Sequence, residues 1–305
     1  MSLSVDELQS LAQSWALSLR ADRKSPQTIK AYGDGVRLYL GWCRVQDADP
    51  LQRASIRTWI AELLDGGAAA STARSRQLAV RRFTAWLDDE GEIDTDPFVG
   101  IKAPKLDQQV IEPLTDDELR ALLKACVPPK GATRSQALRD RRDEAIIRLM
   151  LETGARAGEV AVMSLADVDR LAGTAIIRRG KGGKGRTVPL GPEAVMAMDR
   201  YLRHRREHRL AGSDALWLGD RGKGFTYDAL HKTLKGRAAT AKIERFHPHL
   251  LRHTAAHRWL AKGGSEGGLM AVAGWTRPDM LMRYTKAQAS ARAAEEAKRL
   301  NLGEL

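Results

Sequence analysis

Apolar residues recur at helical spacing through the first hundred positions of the chain. One stripe runs through Val5–Leu19 behind Ser4, whose hydroxyl suits a helix N-cap. Ser25-Pro26 opens a second helix, with Pro acceptable in its first turn, and Ile29, Tyr32, Val36, Tyr39, Leu40 and Cys43 form its apolar face. Two more helices are predicted near Ser55–Leu64 and Ser71–Leu87, on either side of the Gly66-Gly67 break. Trp15, Trp42, Trp59 and Trp86 fall one in each helix, where they read as anchors of a small helical core.

The helical pattern stops at Asp96-Pro97-Phe98. The segment 99–105, with its Gly, Pro and Lys residues, reads as an extended linker. A new helix starts after Thr115, where Thr-Asp-Asp-Glu resembles a capping box, and Arg139–Glu152 is another. The period then changes. Thr174–Arg178 and Arg186–Leu190 are short β-type runs around Gly180-Lys181-Gly182-Gly183-Lys184-Gly185, a hairpin with a basic tip. Helices return from Glu193 onward, interrupted by a short strand at Ala215–Leu218. The expected architecture is mainly α with a small β-sheet in the C-terminal domain. A helical domain over 1–98, a linker over 99–112 and a second domain over 113–305 are expected, the last ending in a tail helix at 288–302.

Charge sharpens this picture. The formal net charge is +12, and residues 1–105 hold 14 basic and 14 acidic residues, so the whole excess lies beyond them. A polyanionic partner in that half, such as nucleic acid, fits the imbalance. Two cysteines, Cys43 and Cys126, exclude a disulfide framework or a cysteine zinc site. No apolar run approaches the ~18 residues of a membrane span, and the N-terminus lacks a basic-then-apolar leader, so a cytoplasmic protein is expected.

Four fragments of the second half carry chemistry. They are Thr153-Gly154-Ala155-Arg156-Ala157-Gly158-Glu159, the hairpin tip with Lys181 followed by Arg186, His247-Pro248-His249-Leu250-Leu251-Arg252, and Gly274-Trp275 with Arg283-Tyr284 beyond it. Together they resemble the tyrosine recombinase (phage integrase) family, which includes Cre and the Xer recombinases. The likeness covers about 114–286 and, more weakly, the N-terminal region, which looks like the family's helical core-binding (SAM-like) domain. The family pattern is an Arg after T-G-x with an acid three residues on, a hairpin Lys, H-x-x-R, a His or Trp after Gly, and a Tyr nine residues later. Arg156, Glu159, Lys181, His249, Arg252, Trp275 and Tyr284 match it in order.

The resemblance implies a DNA strand transferase that needs no metal, cofactor or ATP. Tyr284 is the implied nucleophile, since a tyrosine oxygen can hold a covalent phosphoryl intermediate. Arg156 and Arg252 suit the charge that gathers on the nonbridging oxygens, because guanidiniums are always protonated and forked. His249 and Trp275 are implied phosphate donors, Lys181 the acid that protonates the leaving 5′ oxygen, and Glu159 the group that orients the cations. Double-stranded DNA with specific core sites and self-association into a tetramer on DNA are the implied partners, with any directionality factor left open. The implied setting is the cytoplasm, on the nucleoid when bound to DNA.

Alternatives stay open at several positions. Lys184 shares the hairpin tip with Lys181, and with Arg186, Arg74 and Arg81 it is a candidate DNA contact; solvation alone explains the last two equally well. Trp275 also fits a core, and Ala155, where the family usually has a bulkier aliphatic residue, reads as a packing change. His249, His253 and His257 recur every four residues, but no carboxylate or cysteine at ligand spacing supports a metal. The run Arg203–Arg209 reads first as a solvated helix face. In function, integration or excision of a phage or other mobile element leads. Xer-like dimer resolution, a type IB topoisomerase and a DNA-binding protein without catalysis are the rivals.

Overall fold

The computed structural model describes residues 3–106, 111–178, 185–220, 222–278 and 280–281. The chain divides into two compact units, Met1–Gln109 and Val110–Leu305. Each has its own apolar core.

Four helices build the first unit: α1 (Val5–Ala21), α2 (Pro26–Gln46), α3 (Arg53–Asp65) and α4 (Ala70–Asp89). Their ends follow local chemistry. Ser4 and Glu7 form a reciprocal capping box at α1, and the Ser25 hydroxyl accepts the Thr28 N–H ahead of Pro26 in α2. Trp15 stacks with Tyr32 at 5.8 Å and meets Phe83 at 5.3 Å, while Trp59 packs on Tyr39 at 4.9 Å. α2 and α4 cross closely at Gly35, where a methyl group would stand 2.6 Å from the Ala79 Cβ. Packing continues into the segment expected as a linker. Ile101 is buried in this core beside Phe98, which precedes that segment, and the Gln77 amide donates to the Lys102 carbonyl at 3.1 Å.

The second unit surrounds α6 (Arg134–Thr153), which packs against α8 (Pro192–Arg205) and α10 (Pro248–Ala261). The other helices are α5 (Asp116–Lys124), α7 (Ala157–Ala161), α9 (Tyr227–Thr240) and α11 (Glu266–Ala273). An antiparallel sheet joins β1 (Val168–Asp169), β2 (Thr174–Ile177) and β3 (Arg186–Pro189) in that order, with Ile177 opposite Arg186.

Three sequence expectations change. α6 starts at Arg134 rather than Arg139, because the Thr133 hydroxyl caps it on the Gln136 N–H. Ala215–Leu218 forms only two isolated bridges, Ser164 to Ala215 and Leu218 to Gly224. It is held instead by buried side chains. Arg205 donates to the carbonyls of Ala211, Ser213, Ala215 and Leu216, and the Tyr201 hydroxyl donates to Leu216 and accepts from Leu218. The run Arg203–Arg209 is therefore not uniformly a solvated face, since Arg205 is buried to satisfy backbone. The tail at 288–302 lies outside the described residues.

Candidate active site

The site is built around the turn that ends α6. Gly154 terminates the helix in the left-handed region, φ 59°, and its N–H returns to the Met150 carbonyl. The Thr153 hydroxyl donates to Leu149 and accepts the Ala155 N–H, which fixes the exit path. Ala155 is wholly enclosed, so the small residue at this position is a matter of packing. Arg156 then becomes the N-cap of α7, and Glu159 at the third helical position accepts both the Arg156 backbone N–H and its Nη1, each at 2.9 Å.

Arg252 reaches the same turn from α10. His247 precedes that helix and Pro248 opens it, which sets Arg252 one turn in. Its side chain is 1% exposed and Nη1 donates to the Gly154 carbonyl at 2.5 Å. The guanidinium also lies 5.3 Å from the centre of the Trp275 ring. Trp275 is itself buried in a small cluster with Ala256, Leu260, Leu269, Ala273 and Leu281. A cation sunk this deeply costs desolvation energy in any fold, which marks the position as built for a charge.

His249 is exposed on the first turn of α10, and its ring meets that of His253 edge-on at 4.8 Å. Burial pushes the His253 pKa down to about 3, and the charges of His249, His247, His257 and Arg252 push the same way. His253 is thus a neutral support beneath His249. Burial also lowers His247 and His257. Among the described residues no group of three or more His, Cys, Asp or Glu is arranged to hold a metal.

Arg186, expected as a DNA contact, is turned inward. Its Nη2 donates to Glu159 at 2.9 Å, Nη1 donates to the other Glu159 oxygen at 3.3 Å, and Nε donates to the Val272 carbonyl at 2.8 Å. Its side chain is 12% exposed. Burial alone would raise the Glu159 pKa. The Arg186 hydrogen bonds, the Arg156 backbone N–H and both guanidinium charges outweigh it and hold the carboxyl below its ordinary value. Nothing local announced this tie, because its partners lie 27 and 86 positions away.

Lys181, Lys184 and Tyr284 lie outside the described residues. Their approaches are described: Ile177 and Arg186 pair at the root of the hairpin, and Leu281 packs in the Trp275 cluster three positions before Tyr284. The structure therefore brings Arg156, Glu159, Arg252 and Trp275 together, with His249 at the surface of the same helix as Arg252. In the first unit, Arg74 and Arg81 are both exposed on α4, seven positions apart.

Comparison with known proteins extends this. Residues 112–291 match the Phage integrase family, and residues 12–91 match the Phage integrase, N-terminal SAM-like domain. Tyrosine recombinase XerC of Chromobacterium violaceum is 31% identical over 265 residues, 86% of this chain and 85% of the relative. Tyrosine recombinase XerD of Yersinia pestis is 30% identical over 243 residues, 77% of this chain and 78% of its own. In fold the chain resembles XerH site-specific recombinase bound to palindromic difH substrate, with a TM-score of 0.72, 17% identity and coverage of 96% of this chain and 84% of that one. A lambda integrase dimer bound to a COC′ core site gives a TM-score of 0.68 at 17% identity, covering 90% and 76%.

Proposed function

Since the chain belongs to the phage integrase family and is a tyrosine recombinase, we propose that it cuts and rejoins duplex DNA at paired core sites through Tyr284. The Tyr284 hydroxyl gives up its proton to solvent as its oxygen attacks the scissile phosphorus, the bond to the 5′ oxygen breaks, and Lys181 gives that oxygen a proton. The resulting 3′-phosphotyrosine keeps the energy of the broken bond. A 5′ hydroxyl from the partner strand then attacks it and releases the tyrosine, so no ATP is consumed.

The observation that carries this reading is the pair of arginines assembled on one turn, Arg156 following Gly154 and Arg252 bonded to its carbonyl. Two fixed cations in a partly enclosed site are what a phosphoryl transition state needs in the absence of a metal. His249 and Trp275 complete the donor set, with Trp275 supplying one N–H and no proton shuttle. Arg74 and Arg81 fit a groove contact, and Lys184 a phosphate contact beside Lys181. Four protomers would exchange strands pairwise, in the cytoplasm and on the nucleoid, with any directionality factor unidentified.

Integration or excision of a mobile element is the leading role. Xer-like dimer resolution is a second reading, favoured by relatives named XerC and XerD at 30–31% identity. The decisive test of the chemistry is Tyr284→Phe. It should bind DNA as the parent does and form no covalent protein–DNA adduct. An SDS-resistant adduct from the Phe variant would move the nucleophile elsewhere. Relaxation of any supercoiled plasmid by a monomer, without paired sites, would favour a topoisomerase.

A further inference from the structure

Glu159 receives four hydrogen bonds: the Arg156 N–H, the Arg156 Nη1, and two from the Arg186 guanidinium. A carboxylate beside a single arginine would take its fork in both oxygens, the strongest arrangement available to the pair. Here Arg186 occupies that capacity. The Arg156 side chain keeps one contact with Glu159 and is 28% exposed, leaving further N–H donors of its fork for an outside anion. The charges agree with the geometry. Glu159 with Arg156 alone would be a neutral pair, whereas Arg186 leaves the trio with one net positive charge.

Arg186 also ties in the other side of the site. Its Nε bonds the Val272 carbonyl near the end of α11, and the Gly274 α-carbon lies so close that a methyl group there would stand 2.9 Å from Nη1. Trp275 follows directly. Arg186 itself begins β3, at the root of the hairpin that carries Lys181. One side chain thus references the Arg156 turn, the Trp275 segment and the hairpin to a single point.

We propose that Arg186 is a positioning residue for strand transfer, which satisfies Glu159 so that the Arg156 guanidinium is presented to the scissile phosphate. This rests on the recombinase reading above. Without Arg186, Arg156 would be drawn into a closed pair with Glu159, and the site would lose both orientation and charge.

The test uses the full chain and a half-site DNA that traps the covalent adduct, in two forms. One carries the normal scissile phosphate, and the other has a methyl group in place of one nonbridging oxygen, so the linkage is uncharged and asks less of the arginines. Arg186→Ala should bind the half-site as the parent does and cleave the normal DNA roughly 100-fold more slowly, the scale expected when a reacting group is misplaced by about 1 Å. On the uncharged DNA its deficit should shrink to within roughly tenfold. Arg186→Lys keeps the charge but not the fork, and should show a smaller form of both effects even if the Ala variant folds poorly. Full-rate cleavage by both variants would overturn the proposal. So would an equal deficit on the two DNAs, which marks a purely structural role, or weakened half-site binding with unchanged cleavage of bound DNA, which marks a DNA contact. Wild-type protein that forms no adduct on either DNA would instead sink the recombinase reading itself, so the two failures are separable.

Discussion

Two glycines in the left-handed region flank the candidate site, and adding the same methyl group to each should have different consequences. Gly154 ends α6 with φ 59°, and Gly274 ends α11 with φ 66°. The backbone penalty for an alanine in that conformation is about 1–2 kcal/mol at either position. The surroundings then separate them. At Gly154 the new methyl would find Ala273 Cβ at 3.7 Å, Ala255 Cβ at 3.8 Å and Arg252 Cγ at 3.9 Å, all ordinary contacts. At Gly274 it would meet Arg186 Nη1 at 2.9 Å, Cζ at 3.0 Å and Nε at 3.1 Å. That guanidinium cannot yield freely, because Glu159 and Val272 hold it from the other side. Displacing it would disturb charged hydrogen bonds worth about 1.5–3 kcal/mol each. Gly154→Ala should therefore lose about 1–2 kcal/mol, a fall of a few degrees in Tm, and cleave nearly as the parent does well below its melting point. Gly274→Ala should lose about 3–5 kcal/mol and cleave far more slowly at temperatures where it is still folded. Urea unfolding and adduct formation on a half-site DNA would measure both. Equal losses of stability and of cleavage in the two variants would refute the reasoning, since backbone strain alone would then account for everything.

Further outcomes follow from the hairpin, the buried histidine and the tail. Lys181→Ala should slow cleavage of normal DNA by at least about 100-fold, and a 5′-bridging sulfur, which leaves without a proton donor, should largely restore the rate. Equal impairment on both DNAs would pass the role to Lys184. Burial lowers the His253 pKa to about 3, against about 6.5 in an unfolded chain. The stability of the neutral imidazole is therefore intact above about pH 6.5 and is lost as pH falls toward 3, about 2 kcal/mol of it by pH 5. His253→Gln should flatten the fall in Tm between pH 7.5 and 5, though His247 and His257, shifted the same way, will leave part of the slope. Parallel curves for parent and variant would show that His253 does not carry it. A chain shortened to end at Ala287 should bind one half-site normally but fail to assemble synapses, and full recombination by the shortened chain would assign the tail to its own protomer.

What the sequence disclosed, and what it hid, divides by the range of the interactions. Helix starts written within three or four residues were readable, as at Ser4 with Glu7, Ser25 before Pro26, and Thr115 with Glu118. The start of α6 is just as local, Thr133 capping the Gln136 N–H, but no regular apolar stripe follows to mark it. Asp140, Arg142, Asp143 and Glu144 are charged and yet buried, so they break the apolar period of a core helix. They are satisfied from both near and far. Arg142 pairs with its neighbour Asp143, and Glu144 with Arg141 and Arg148. From further away Arg200 reaches Glu144, Arg237 on α9 donates to both Asp140 and Asp143, and Arg142 also donates to the Leu218 carbonyl and lies over Phe225. The same holds for Arg205, which reads as a surface charge until its carbonyl partners in 211–216 are seen. At the candidate site the residue types of the phosphate cluster stood out because their order and spacing match a family pattern. Arg186 stood in the same stretch and read as one more basic residue beside a basic hairpin tip. Its inward turn depends on Glu159 and Val272, neither of which lies near it in the chain. An arginine's charge is thus legible in one dimension, but whether it faces DNA or another side chain is decided by which carboxylate the fold brings to it. That is why the experiment on Arg186 must separate a lost DNA contact from a misaimed Arg156, and why measuring affinity alone would not suffice.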